Sequence, residues 1–199
     1  MRAFNRVVTT VALLIVPVVV SCGGESGDGG SDVSHTAVEG AEQNLGGIVL
    51  TIPDAWVIGT PTSQMRAAQY VLPAQDGGSD ANLVVFYFGS GSAGSVSANL
   101  ARWYGQITQP DGRPSSEVAT VDEQMVSGMK VTMVDVSGTY SASMGPMMQG
   151  GAAQANSRML AAIVESPRGA YYFKLTGPEN TVAHWKSLFD AVIGGVRPS

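Results

Sequence analysis

Residues 159–176 read MLAAIVESPRGAYYFKLT. Two apolar runs, Met159–Glu165 and Ala170–Thr176, flank Ser166-Pro167-Arg168-Gly169. A link of turn residues that short joins antiparallel neighbours, because a parallel crossover needs a dozen residues or more. The segment therefore reads as a β-hairpin. Pro178 follows and is tolerated in a first helical turn. A closing helix is expected to run to about Ile193, with Val182, Trp185, Phe189, Val192 and Ile193 on one face. Gly194-Gly195 end it.

Upstream, short strands are expected at Ile48–Ile52, Met65–Leu72 and Leu83–Phe88. The last of these, LVVFYF, is apolar on both faces and suits a covered, central position. Ser95 is placed to cap a helix reaching about Ile107, with Val96, Leu100, Trp103 and Ile107 on its buried face. Glu117–Glu123 reads as a weaker strand and Met129–Ser137 as a longer one. Residues 139–156, TYSASMGPMMQGGAAQAN, read as a long excursion. Strands thus follow one another through turn-length links, and two helices each carry a single apolar stripe. That pattern is α+β: a mainly antiparallel sheet flanked by two helices.

The chain opens differently. Residues 1–22 read MRAFNRVVTTVALLIVPVVVSC. Two arginines precede an apolar run from Val7 to Val20 that falls short of the roughly 20 residues a spanning helix needs. This is the layout of an export signal. Residues 23–46 carry Gly, Ser and five acids with no Lys or Arg, and show no apolar period. They read as a solvated tether with a reach of roughly 25–30 Å. The expected organisation is a signal peptide within residues 1–22, a disordered acidic linker reaching residue 46, and a globular domain over 47–199.

Eleven basic residues face sixteen acidic ones, a formal charge of −5. Removal of Arg2 and Arg6 with the leader leaves nine against sixteen, or −7. Nucleic acid is a poor partner for such a chain, since phosphate binding needs a basic face. Cys22 is the only cysteine, so no internal disulfide can form.

Val19-Val20-Ser21-Cys22 resembles the lipobox of bacterial lipoproteins. The resemblance implies cleavage after Ser21, diacylglycerol on the Cys22 thiol and residence in the cell envelope. In a host with two membranes, Gly23 after the cysteine implies sorting to the outer membrane. Five further stretches resemble a family of uncharacterised bacterial lipoproteins and exported proteins: Met65–Tyr70, Val85–Gly89, Asn99–Gln106, Val134–Tyr140 and Tyr172–Pro178. Together they span most of 47–197. The element order and closing Trp-bearing helix look, more distantly, like the PsbP-like fold. Its members act as binding or assembly proteins; the resemblance implies a fold and gives no catalytic residue, and a fold alone does not fix function.

Few residues nominate chemistry. Gly89–Gly94 spells GxGxxG between a strand and a helix, but the next strand is weak, its Asp122 is about 33 residues from Gly89 rather than about 20, and the neighbouring order is antiparallel. It reads as a Gly/Ser connection into a helix cap. Ser127-Gly128-Met129-Lys130 matches SxxK at a strand start, where the required helical face is missing. Met144, Met147 and Met148 gather three thioethers that suit Cu(I), with His184 or Met159 as the needed further ligand. His184 itself points away from the apolar stripe of its helix. Asn99, Arg102 and Gln106 flank the stripe of the first helix and form either backbone-satisfying contacts or a polar pocket rim. Arg66, Asp135, Arg158 and Lys174 sit mid-strand among apolar residues. If Asp135 faces Arg66 or Arg158, a structural ion pair is the expected outcome; a site for a ligand carboxylate, or a carboxylate base at Asp135, are the sharper alternatives. No motif calls for a cofactor. The expected function is a non-enzymatic binding or assembly module, lipid-anchored to the membrane, taking an envelope protein or small ligand at the 139–150 loop and the adjacent Asn99/Arg102/Gln106 rim. Copper handling by the methionines is the alternative.

Overall fold

The computed structural model describes residues 38–75, 77–91, 94–142 and 152–199. In chain order the elements are β1 (Gly40–Asn44), β2 (Ile48–Pro53), β3 (Val57–Gly59), β4 (Arg66–Leu72), β5 (Ala81–Tyr87), α1 (Val96–Tyr104), β6 (Ile107–Thr108), α2 (Ser115–Val118), β7 (Thr120–Val126), β8 (Met129–Tyr140), β9 (Gln154–Ser166), β10 (Gly169–Pro178), α3 (Glu179–Gly194) and β11 (Arg197–Pro198). The protein is α+β, with a mainly antiparallel sheet as expected. Eight strands form the main sheet in the order β3-β4-β5-β10-β9-β8-β6, with β7 also paired to β8. A second sheet has the order β1-β2-β11.

The β9–β10 hairpin lies at the centre. Gly169 pairs with Ser166, so the connection tightens to Pro167-Arg168. Met159 to Val164 are all buried, because this strand is covered on both faces. Leu160, Ala162 and Val164 point to one face; Met159, Ala161 and Ile163 point to the other. The first face is covered by α3 and the small sheet, and holds the larger core with Tyr70, Phe173 and Phe189. Val182, Trp185, Phe189, Val192 and Ile193 are all buried, as the periodicity of the closing helix predicts. The second face is covered in part by α1, whose Trp103 packs edge-on against Tyr172 with centroids 6.4 Å apart.

Several expectations need correction. The linker was expected to reach residue 46, yet Gly40–Asn44 pairs along β2 from Gly40↔Pro53 to Asn44↔Val49. This segment has no apolar pattern to announce it. Its hold comes from distant side chains: Tyr70 Oη donates to Gln43 Oε1, Tyr171 Oη donates to the Leu45 carbonyl at 2.9 Å, and Arg168 donates to the Gly46 carbonyl at 2.9 Å. The first helix stops at Tyr104 rather than Ile107. Ser95 caps it as expected, accepting from Ala98 N at 3.1 Å. Ile107 is buried, but from β6, where it pairs with Tyr140. The 139–156 excursion is shorter than expected, since β8 runs through Tyr140 and β9 begins at Gln154. The weak strand falls at Thr120–Val126, displaced by the helical turn α2, and is exposed except at Val126. Ser127 and Gly128 have φ of 48° and 79°, the left-handed pair of a tight hairpin turn, so SxxK has no helix here. Among the described residues no helix is long and apolar enough to cross a membrane.

Candidate functional site

Strand parity assigns each polar residue to a face. On β10, Phe173 and Leu175 point into the α3-side core, so Tyr172, Lys174 and Thr176 point to the α1 side. Lys174 stands opposite Val84 on β5 and Ala161 on β9, and Val84 stands opposite Gln69 on β4. A register shift between Arg66 and Ala68 then changes which side chains share a face. Ala68 is buried in the α3-side core, whereas Arg66 pairs with Phe86, which packs on the α1 side. The Arg66 guanidinium lies 5.9 Å from the Phe86 ring centroid and donates to Gln69 Oε1 at 2.7 Å.

Helix α1 brings its own polar side chains to this face. Asn99 is buried and donates to the Ser95 carbonyl at 2.9 Å, while its Oδ1 accepts from Arg102 Nη2. Just past the helix end, Gln106 Oε1 accepts from Lys174 Nζ at 3.1 Å. The same ammonium donates to Tyr140 Oη at 3.3 Å and lies 5.7 Å from that ring's centroid. Asn99, Arg102 and Gln106 thus all reach this face, through contacts with Ser95, with one another and with Lys174. Asn99 mostly serves the helix start, and Gln106 holds a lysine.

The electrostatics centre on Lys174. Burial pushes its ammonium down to about 8, and the charges of Arg102 and Arg66 push the same way. No carboxylate among the described residues forms a salt bridge with any of these three cations. Burial also raises the Tyr140 phenol, with a hydrogen bond to Thr176 opposing it. Tyr140 further forms part of the wall of a cleft of about 420 Å³, whose polar lining includes Ser79, Asp80, Asn82, Gln154 and Thr176. Asp80 is partly committed, since it accepts from Ala74 N at 2.8 Å. A half-buried ammonium, two guanidinium groups, amides and hydroxyls can bind polar or anionic groups. Nothing in this set supplies a nucleophile activated by an adjacent base.

Asp135 and Arg158 lie elsewhere. Asp135 is opposite Leu160, and both point to the α3 side. Arg158 Nε and Nη2 donate to the two oxygens of Asp135 at 2.7 and 2.6 Å. The ion pair expected for Asp135 is thus formed with Arg158 and not with Arg66. The pair raises the Arg158 guanidinium further, against the opposing effect of burial. Of the polar residues singled out in the sequence, Asn99, Arg102, Gln106, Arg66 and Lys174 lie on the α1 face, and Asp135 and Arg158 on the α3 face.

Cys22 and the Met144, Met147 and Met148 cluster lie outside the described residues. The two proposed helpers of a methionine site point apart: Met159 is fully buried on the α1 side, and His184 is exposed on α3, edge-on to Trp185. Among the described residues no group of three or more His, Cys, Asp or Glu could hold a metal ion. Sequence reasoning left Gln69, Tyr140 and Thr176 out of the site. Lys174 carried the visible signal, a lone charge in a strand otherwise apolar on both faces.

No protein-family model matches this sequence, and no curated protein matches it. Solved structures resemble it, two of them as follows. The solution structure of cyanobacterial PsbP (CyanoP) from Synechocystis sp. PCC 6803 is 15% identical, with a TM-score of 0.47, over 77% of this chain and 87% of that one. The crystal structure of PA94, a protein of unknown function from Pseudomonas aeruginosa, is 14% identical, with a TM-score of 0.40, over 73% of this chain and 88% of that one.

Proposed function

We propose that this chain is a lipid-anchored protein of the bacterial envelope whose α+β domain is a non-enzymatic binding module. The α1 face of the main sheet is its working surface. One observation carries the reading: Lys174 is half-buried beside Gln106 and Tyr140, and Tyr140 continues into the polar cleft. Among the described residues no carboxylate pairs with this ammonium, and a half-buried cation so held costs stability. Such a cost is characteristic of binding and catalytic sites, where stability is given up for function. The lipobox-like Val19-Val20-Ser21-Cys22 supports the anchor, since two or more acyl chains hold a protein firmly to a membrane.

The anchor is tested by metabolic labelling with a fatty acid. Label should enter the wild-type chain and be lost in Cys22→Ser; label retained in that variant would sink the anchor. The binding role is tested by native mass spectrometry of the full chain extracted gently from its own envelope, alongside Lys174→Gln. A molecule retained by the wild type and lost from the variant supports the module. Identical bare spectra for both would count against it.

A further inference from the structure

The mature chain has nine basic residues: Arg66, Arg102, Arg113, Lys130, Arg158, Arg168, Lys174, Lys186 and Arg197. Five of them sit in salt bridges, to Asp111, Glu123, Asp135, Asp190 and Glu42. Arg168 donates to the Gly46 carbonyl. Arg66, Arg102 and Lys174 remain, and they are the three that gather on the α1 face. Four bases, Arg168 included, thus form no salt bridge with a described carboxylate, and three of the four share the α1 face although like charges repel. Here they come from β4, α1 and β10 to one face: Arg66 bonds Gln69, which lies in register with Val84 and Lys174, while Arg102 bonds Asn99 on the helix beyond whose end Gln106 bonds Lys174; the charges of both arginines also act on the lysine. Their described partners are neutral: Gln69, Asn99, Gln106 and Tyr140. Those contacts orient the cations without cancelling their charge. An ammonium has three N–H donors and a guanidinium five, so each cation keeps donor capacity beyond them.

We infer that Arg66, Arg102 and Lys174 form a binding site for an anionic group, a carboxylate or phosphate, on a ligand whose uncharged part lies along the cleft walled by Tyr140. The inference rests on the proposed binding role and names the chemistry of its ligand. The guanidinium forks match both oxyanions geometrically, and the lysine adds a point charge on the cleft side. The bound anion supplies the counter-charge that the fold withholds. The hydroxyls and amides of Asn82, Gln154 and Thr176 would then meet polar, uncharged parts of the same molecule.

The test is an NMR titration of the isotope-labelled full-length protein in detergent. It follows the side-chain amides of Gln69 and Gln106 and the Nε–H of Arg66 and Arg102. Acetate and inorganic phosphate are the anionic probes, and acetamide is the uncharged isostere of acetate. Saturable shifts with an anion and none with acetamide are expected. The tighter of the two anions identifies the group on the natural ligand. Lys174→Gln and Arg102→Gln should each weaken the anion by about tenfold, the worth of one charge-assisted hydrogen bond. Arg113→Gln, which removes a cation already paired with Asp111, should leave it unchanged. Equal responses to acetate and acetamide, or equal losses in all three variants, would overturn the inference. A retained but uncharged natural ligand would overturn it while leaving the binding role intact. A bare protein that also ignores every probe would overturn both.

Discussion

Arg158 and Asp135 meet diagonally across β9 and β8 in a two-pronged contact, Nε to Oδ1 at 2.7 Å and Nη2 to Oδ2 at 2.6 Å. Their side chains are 20% and 23% exposed, so water screens the pair only in part. Both oxygens of the one carboxylate that sequence reasoning nominated as a base are thereby engaged by a guanidinium. Asp135→Ala should destabilise the fold by about 1–3 kcal/mol, because Arg158 is left half-buried without its partner. Urea unfolding measures this. Anion binding on the opposite face should not change, and a loss of binding with intact stability would return Asp135 to the functional site.

Lys174 predicts a pH dependence with a definite sign. Its ammonium titrates at about 8 in the folded protein and at about 10.4 in an unfolded chain. Between those values the unfolded state binds more protons, so stability rises as pH climbs through that window. Below about 8 the full cost of holding the charge is present. Lys174→Met should therefore raise stability at neutral pH by about 1–3 kcal/mol and flatten the curve between roughly pH 8 and 10.4. Denaturation across that range checks it. A less stable variant would mean that the bonds to Gln106 and Tyr140 outweigh the cost of burial.

Gly138 marks the point where β6 crosses close to β8. Its φ is 157°, and an added Cβ would lie 2.7 Å from both the Thr108 carbonyl oxygen and Ile107 Cγ2. Thr108 is held in the strand by its pairing with Thr139, so its carbonyl cannot swing aside freely. Gly138→Ala is expected to destabilise by about 1–3 kcal/mol through overpacking. A thermal melt indistinguishable from wild type would show that β6 yields.

The domain boundary is also testable. A chain beginning at Gly47 loses β1, the Gln43 partner of Tyr70 and the Leu45 partner of Tyr171. One beginning at residue 38 keeps them. The shorter chain should be less stable by about 2–5 kcal/mol, since two phenol donors lose their acceptors. Equal unfolding midpoints would place the boundary at residue 47 after all.

Much of the fold was legible because its causes are local. The Ser166–Gly169 turn, the Ser95 cap and the stripe from Val182 to Ile193 each depend on residues within a few positions of one another. The antiparallel order followed from link lengths. By contrast, β1 was invisible, because GAEQN has no periodicity and is held by Tyr70 on Gln43 and Arg197 on Glu42, with Tyr171 and Arg168 fixing the following Leu45-Gly46, all far away in sequence. The extra length of β8 and β9 was hidden for the same reason, since polar residues extend a ladder through backbone pairing alone.

The sequence by itself determined that four charged residues, Arg66, Asp135, Arg158 and Lys174, fall among apolar strand residues. Alternation within one strand assigns only relative faces, so it could not say which charges would meet. That was decided by the register of β8 against β9, which joined Asp135 to Arg158, and by the irregularity at Arg66 that carried its side chain to the α1 face. Neutralisation of a charge depends on distance in space, and distance across a sheet is set by pairing that no local pattern encodes. The composition revealed an excess of acid; only the tertiary structure showed that three of the described bases share one face with no salt bridge to a described carboxylate.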